Sequence, residues 1–386
     1  MFMLRRFAVY TLLASALSVI AAPLAGAEDQ EIVVGQVASL TNPASADNAR
    51  DLNLGYRVYF DHVNANGGVH GRKLKMLLKD DNLTAPKMVD LTNELIADPA
   101  VIALAGFLNT GGLTEIAKQD LLGKNGIALI APSQGNKNIV GAENVFPFRS
   151  GYQEEVQSLI DECKNTQKKR IAIVHMKAAF GPPTATFAEQ AAKEAGLTVT
   201  NAVGYEVAPD KIEESLRQAV AAMEKSEPEA VILVGAGKGA FDFVKRMRAS
   251  TATYTQIYGM SVLSMNDLIK SGGLDVAKGI ILSQSVPYPY TGTLPVLREY
   301  LKLMKQYAPD GQVNFFSFEG FAGAKIIAEA LKRAGPNPTR KKVIEALKAM
   351  GEYDLGGVSV AYTPKARLGW RGVDLTIIGS TGKLLH

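Results

Sequence analysis

A run of buried-type residues, Ala230 to Val234, leads into Gly235-Ala236-Gly237-Lys238-Gly239-Ala240. That G-x-G-x-x-A spacing can bring backbone N–H groups and a helix N-terminus to a dinucleotide pyrophosphate. The same chemistry needs an acid about 20 residues on for the ribose hydroxyls, and Ala249 to Met260 contains no Asp or Glu. An NAD-dependent oxidoreductase therefore has only half its motif. The four histidines, His62, His70, His175 and His386, are too scattered to form a local metal set. There is no G-x-S-x-G elbow and no Walker loop. Cys163 stands at helical spacing from Val156, Leu159 and Ile160, which marks a buried thiol rather than a nucleophile. These residues point to no enzyme, no cofactor and no metal.

Two polar loops remain. Asn109-Thr110-Gly111-Gly112 precedes a helix starting near Leu113, so its N–H groups and the Thr110 hydroxyl suit a carboxylate or another acceptor; equally, Asn109 or Thr110 serves as an N-cap. Pro132-Ser133-Gln134-Gly135 follows the next strand and should set polar groups beside the first loop.

The elements that must carry these loops alternate. Apolar runs at 32–38, 74–79, 101–105, 127–131, 170–175, 230–234 and 279–283 are separated by amphipathic stretches, the pattern of an α/β fold with parallel sheets and crossover helices. Asp98-Pro99-Ala100-Val101-Ile102 and Glu227-Pro228-Glu229-Ala230-Val231 look alike and hold the same place in that series, which suggests two similar lobes. A length of 386 residues also favours two domains. Arg5 and Arg6, the apolar stretch Phe7 to Leu24 and Ala25-Gly26-Ala27 read as a signal peptide over residues 1–27, cleaved after Ala27, with no Cys following to carry a lipid. The net charge of +4 is no nucleic-acid footprint. The single cysteine excludes an internal disulfide.

Several further stretches, in order, resemble the type I periplasmic binding proteins of the leucine/isoleucine/valine-binding class: Ser39-Leu40-Thr41-Asn42-Pro43, then Val63-Asn64-Ala65-Asn66-Gly67-Gly68-Val69-His70-Gly71-Arg72, then Asp80-Asp81, and Phe318-Glu319-Gly320-Phe321-Ala322. The resemblance implies two lobes joined by three hinge crossings, expected near 148–151, 283–287 and 352–354. Lobe one would be residues 28–149 plus 287–352, and lobe two residues 150–286 plus 353–386. It also implies a freely diffusing periplasmic monomer that closes on a small-molecule ligand and presents it to an ABC permease at the inner membrane. A ligand sensor of the same fold, presenting its closed form to a receptor, is the alternative.

Carried over residue by residue, the resemblance implies that Thr110, Ser133 and Gly135 hold the ligand carboxylate, with the usual hydroxyl missing at Gly135 and its N–H left to donate; Asn109 and Gln134, in the same two polar loops, are further ligand-binding candidates. Phe180 matches the aromatic that covers the ligand. Ala236 stands where a second aromatic is usual, and Ser261 where an acid pairs with the ligand's ammonium. A buried ammonium without such a partner is costly, by several kcal/mol or more. Asp47 is a candidate replacement, or it caps the following helix with Asn48. Tyr288, with Tyr290, either walls the cleft or is surface beside a crossing. The ligand implied is a small molecule bearing a carboxylate or amide, an amino acid or an aromatic or branched acid.

Overall fold

Runs that are apolar at every position suit strands covered on both faces, and the structure places them so. A computed structural model describes residues 31–386. The expected signal peptide at 1–27 lies outside the described residues. The first sheet consists of β1 (Ile32–Ala38), β2 (Leu74–Asp80), β3 (Val101–Ala105), β4 (Leu129–Ile130) and β5 (Val145–Phe146), all parallel, in the order β2-β1-β3-β4-β5. The second is built on the parallel strands β6 (Arg170–Met176), β7 (Thr198–Tyr205), β8 (Ala230–Val234), β9 (Gln256–Gly259) and β10 (Ile281–Gln284). A small antiparallel sheet follows, of β11 (Gly351–Asp354), β12 (Ser359–Tyr362) and β13 (Arg367–Leu368). Antiparallel β14 (Asp374–Ile378) and β15 (Leu384–Leu385) then complete the second sheet, in the order β15-β14-β10-β9-β8-β6-β7. This is an α/β architecture of two similar lobes, each a largely parallel sheet flanked by helices.

On one face of the first sheet lie two long helices, Ala46–Ala65 and Phe315–Ala334, whose backbones nearly touch. A Cβ on Gly55 would stand 1.9 Å from the Ser317 carbonyl oxygen, and one on Gly320 would stand 1.9 Å from that of Leu52. Only glycine permits that approach; Glu319, the neighbour of Gly320, is buried. Helices Ala85–Ala97 and Thr110–Lys118 cover the opposite face. The second sheet has its own core, in which Cys163 is buried. Burial pushes the Cys163 thiol up to about 12, against the lowering contact with Tyr258, so it is no thiolate at neutral pH.

Three chain segments run side by side between the lobes. Ser150 N–H donates to Ser285 O at 3.1 Å, Ser150 Oγ to Gly372 O at 2.6 Å, and Trp370 N–H to Phe148 O at 2.6 Å. The third crossing therefore lies near 369–373 and not at the expected 352–354. The cause is apolar packing: Leu355, Val358, Val360 and Tyr362 are buried in the first lobe's core, with Tyr362 edge-on to Phe146 at 5.4 Å and its hydroxyl on Pro147 O at 2.6 Å. The boundary expected after residue 352 moves accordingly, and 353–368 pack with lobe one.

Candidate functional site

Parallel strands present their carboxyl ends to ligands, and two such edges face each other here. From the first lobe, β3 leads to Asn109 and Thr110, and β4 leads through Ala131 to Ser133, Gln134 and Gly135. Ala131 takes a left-handed φ of +45°, uncommon for a residue with a side chain. From the second lobe, β6 leads to Phe180, β8 to Ala236 and β9 to Ser261. The two edges touch. Asn48 Nδ2 donates to Val262 O at 3.3 Å, and Asn266 Nδ2 to Gln312 Oε1 at 3.2 Å.

In the first lobe most donors are already engaged. Asn109 is an N-cap: its Oδ1 accepts from Gly111 N–H and Gly112 N–H at 3.0 and 3.3 Å, while its Nδ2 donates to Asp81 Oδ2 at 2.9 Å. Those helix N–H groups are thus spent on Asn109. Gln134 is buried, donating to Thr110 Oγ1 at 2.9 Å and accepting from Gly135 N–H at 3.0 Å. The Gly135 N–H, expected to be spare, therefore goes to its neighbour. Because Thr110 Oγ1 accepts from Gln134, its own proton is left to donate.

Ser133 and Ser261 are bridged by a residue that no local motif marks. Arg149, buried on the first crossing, donates to Ser133 Oγ at 3.4 Å and also to Ser261 Oγ. It pairs with Glu155 Oε1 at 2.9 Å and Glu319 Oε2 at 3.5 Å. Glu155 Oε2 in turn accepts from Ser261 N–H at 2.9 Å and Ser283 Oγ at 2.7 Å. Burial works against the Arg149 charge, yet Glu319 and Glu155 outweigh it and hold its pKa above the ordinary value. Burial pushes the Glu319 carboxyl up to about 7, against the lowering pull of Arg149 and Ser133. The sequence carried a signal for Glu319, an acid inside the apolar run Phe315 to Ala324. Nothing in local spacing marked Arg149 or Glu155.

Two expected residues lie elsewhere. Asp47 and Tyr288 border an open groove of about 1770 Å³ between helix Ala46–Ala65, the loop at 307–313 and the segment 381–384, whose lining does not include Thr110, Ser133, Phe180 or Ser261. Asp47 is half-exposed and paired with Arg50 at 3.0 Å. Tyr288 donates to Leu384 O at 3.0 Å and packs on His386, Tyr290 and Phe315. The Gly-rich loop packs closely on the opposite lobe: a Cβ on Gly237 (φ +58°) would stand 2.5 Å from the Ala44 Cα there.

A family model described as periplasmic binding protein matches residues 31–383. The chain belongs to that family. Within the periplasmic binding proteins it falls in the type I, leucine/isoleucine/valine-binding class. It is 24% identical over 328 residues to Leu/Ile/Val-binding protein homolog 3 of Brucella melitensis, covering 84% of each chain. A substrate-binding periplasmic protein from Ralstonia solanacearum superposes with a TM-score of 0.85 at 28% identity, over 92% of this chain and 99% of that one. An R. palustris solute-binding protein of an ABC transporter, solved with 4-hydroxybenzoate, shares the fold at TM-score 0.77 and 20% identity, over 92% of this chain and 95% of that one.

Proposed function

We propose that this periplasmic binding protein is the solute-binding component of a branched-chain-amino-acid-type ABC importer, acting in the periplasm as a monomer, and that its ligand is a small carboxylic acid or amide without a charged α-ammonium. It captures by closure and does no covalent chemistry. The observation that carries the ligand class is Ser261, an uncharged residue whose N–H donates to Glu155 and whose hydroxyl oxygen accepts from Arg149. A serine there offers an ammonium no charge, and the two nearest buried carboxylates, Glu155 and Glu319, already face Arg149. An ammonium buried at Ser261 with no charged partner of its own would cost several kcal/mol. Thr110, by contrast, keeps a proton for an acceptor. The fold's ability to hold an aromatic acid, as in the R. palustris protein, fits a ligand with a planar or branched apolar body.

The test is a thermal-shift panel, because a ligand that binds only the folded state raises stability by RT ln(1 + [L]/Kd). Amine-free acids such as 4-hydroxybenzoate and 4-methylpentanoate should raise Tm, and leucine, isoleucine and valine should not. A large shift with leucine and none with 4-methylpentanoate, which differs by the amine, would overturn the ligand class.

A further inference from the structure

The loss of a side chain at Gly135 has a visible cause on the opposite side of the cleft. A Cβ built on Gly135 would stand 2.5 Å from Tyr152 Cδ1, 2.9 Å from Cε1 and 2.6 Å from the Tyr152 backbone nitrogen. Tyr152, the first residue of helix Tyr152–Asn165, is clamped there by its own N–H donating to Gly135 O at 2.9 Å. The ring thus occupies the space a serine or threonine side chain would fill at 135. Its second neighbour is Phe180, with ring centroids 5.6 Å apart and a 46° tilt, and its third is the Arg149 guanidinium, 5.8 Å from the ring centre. Tyr152 therefore sits between the loop of Thr110 and Gln134 and the ring expected to cover a ligand. Closure brings these groups near one another, since a Cβ on Gly111 would lie 3.8 Å from Ala179 Cβ, next to Phe180.

We infer that Tyr152 supplies from lobe two the ligand-binding hydroxyl that lobe one lacks at Gly135, donating with Thr110 to the carboxylate or amide oxygen of the ligand while its ring and Phe180 hold the apolar body. This rests on the ligand class proposed above and names a recognition residue for it. Burial pushes the phenol up to about 12, against the lowering effect of Arg149 and the nearby Gly135 N–H, so it carries a donatable proton at neutral pH. A phenol and a hydroxyl select an acceptor but give an ammonium no counter-charge.

The experiment is titration calorimetry of native protein, Tyr152→Phe and Gly135→Ser, each with 4-hydroxybenzoate, 4-methylpentanoate and leucine. Tyr152→Phe keeps the ring and should leave the ligand-free Tm unchanged, while weakening the bound acid by roughly ten- to a hundredfold, the loss of one hydrogen bond to a charged group. Gly135→Ser should weaken it at least as much, because the serine and the ring cannot share the site. Equal affinity of native and Tyr152→Phe for the acid that native binds would overturn the role of Tyr152 and leave the ligand class standing. Failure of native protein to bind either acid would overturn the ligand class, and this inference with it.

Discussion

Arg149, Glu155 and Glu319 put two carboxylates and one guanidinium in a place where none is exposed. Such a group is weak evidence for stability, because desolvation offsets the attraction, but removing one member leaves an uncompensated charge. Arg149→Met should therefore cost about 3–5 kcal/mol in denaturant unfolding, by leaving the carboxylates facing each other. Glu319→Gln should act differently. Its carboxyl is pushed from 4.5 to about 7, mainly by burial and with Glu155 adding to it, against Arg149 and Ser133; Tyr56 and Tyr152 also face it. Between those two values the folded chain holds a proton that the unfolded chain has released, so stability falls as pH rises from about 4.5 through 7, by up to about 3 kcal/mol. Asp51, pushed up to about 6 by burial, slopes the same way. The measurement is Tm against pH: Glu319→Gln should lose Glu319's part of the slope and exceed native by several degrees at pH 8, with little difference at pH 4.5. Parallel native and variant curves would show that Glu319 is ionised throughout.

At the scale of elements, the start of helix Thr110–Lys118 depends on one side chain, since Asn109 caps two N–H groups and also satisfies Asp81. Asn109→Ala should cost about 1–2 kcal/mol, the usual loss for a cap, with the Asp81 Oδ2 bond lost as well while Oδ1 keeps Ser39 and the Leu83 N–H. Asn109→Asp should keep the cap but set a second carboxylate against Asp81, so it should recover stability only as pH falls. A urea melt of both variants at pH 5 and pH 8 decides this. The same scale shows how far the sequence could be read. The expected strands at 32–38, 101–105 and 230–234 coincide with β1, β3 and β8, because strands buried on both faces are apolar throughout. The edge strand β7 and the antiparallel β11 and β13 escaped: β7 is half-buried or exposed at every residue but its last, β11 alternates half-buried and exposed residues, and β13 is only half-buried. Thr110 and Ser133 could be placed by their loops, and Phe180 only through the family resemblance. Tyr152, Arg149 and Glu155 could not, because each matters only through partners far along the chain, and a one-residue neighbourhood carries no trace of a contact such as Arg149 with Ser261.

At the scale of the whole molecule, a binding protein of this kind works by the balance between open and closed lobes, and the ligand shifts it by binding the closed form better. Gly237 tests whether lobe contact itself sets that balance. Its Cβ would meet the Ala44 backbone at 2.5 Å in the opposite lobe, whereas a Cβ on Gly196, with a similarly left-handed φ of +81°, would meet nothing within 4 Å. Both alanine variants carry the backbone strain, roughly 1–2 kcal/mol, but only Gly237→Ala adds an obstacle between lobes. The two should lower Tm alike. In small-angle scattering with 4-hydroxybenzoate or 4-methylpentanoate, whichever native protein binds, Gly196→Ala should contract on saturation as native does. Gly237→Ala should need more ligand and contract less, because apparent affinity falls with the fraction able to close. Equal behaviour of the two variants would mean that the Ala44 contact yields without cost, and that the closed form is held from the hinge side, where Arg149 spans Ser133 and Ser261.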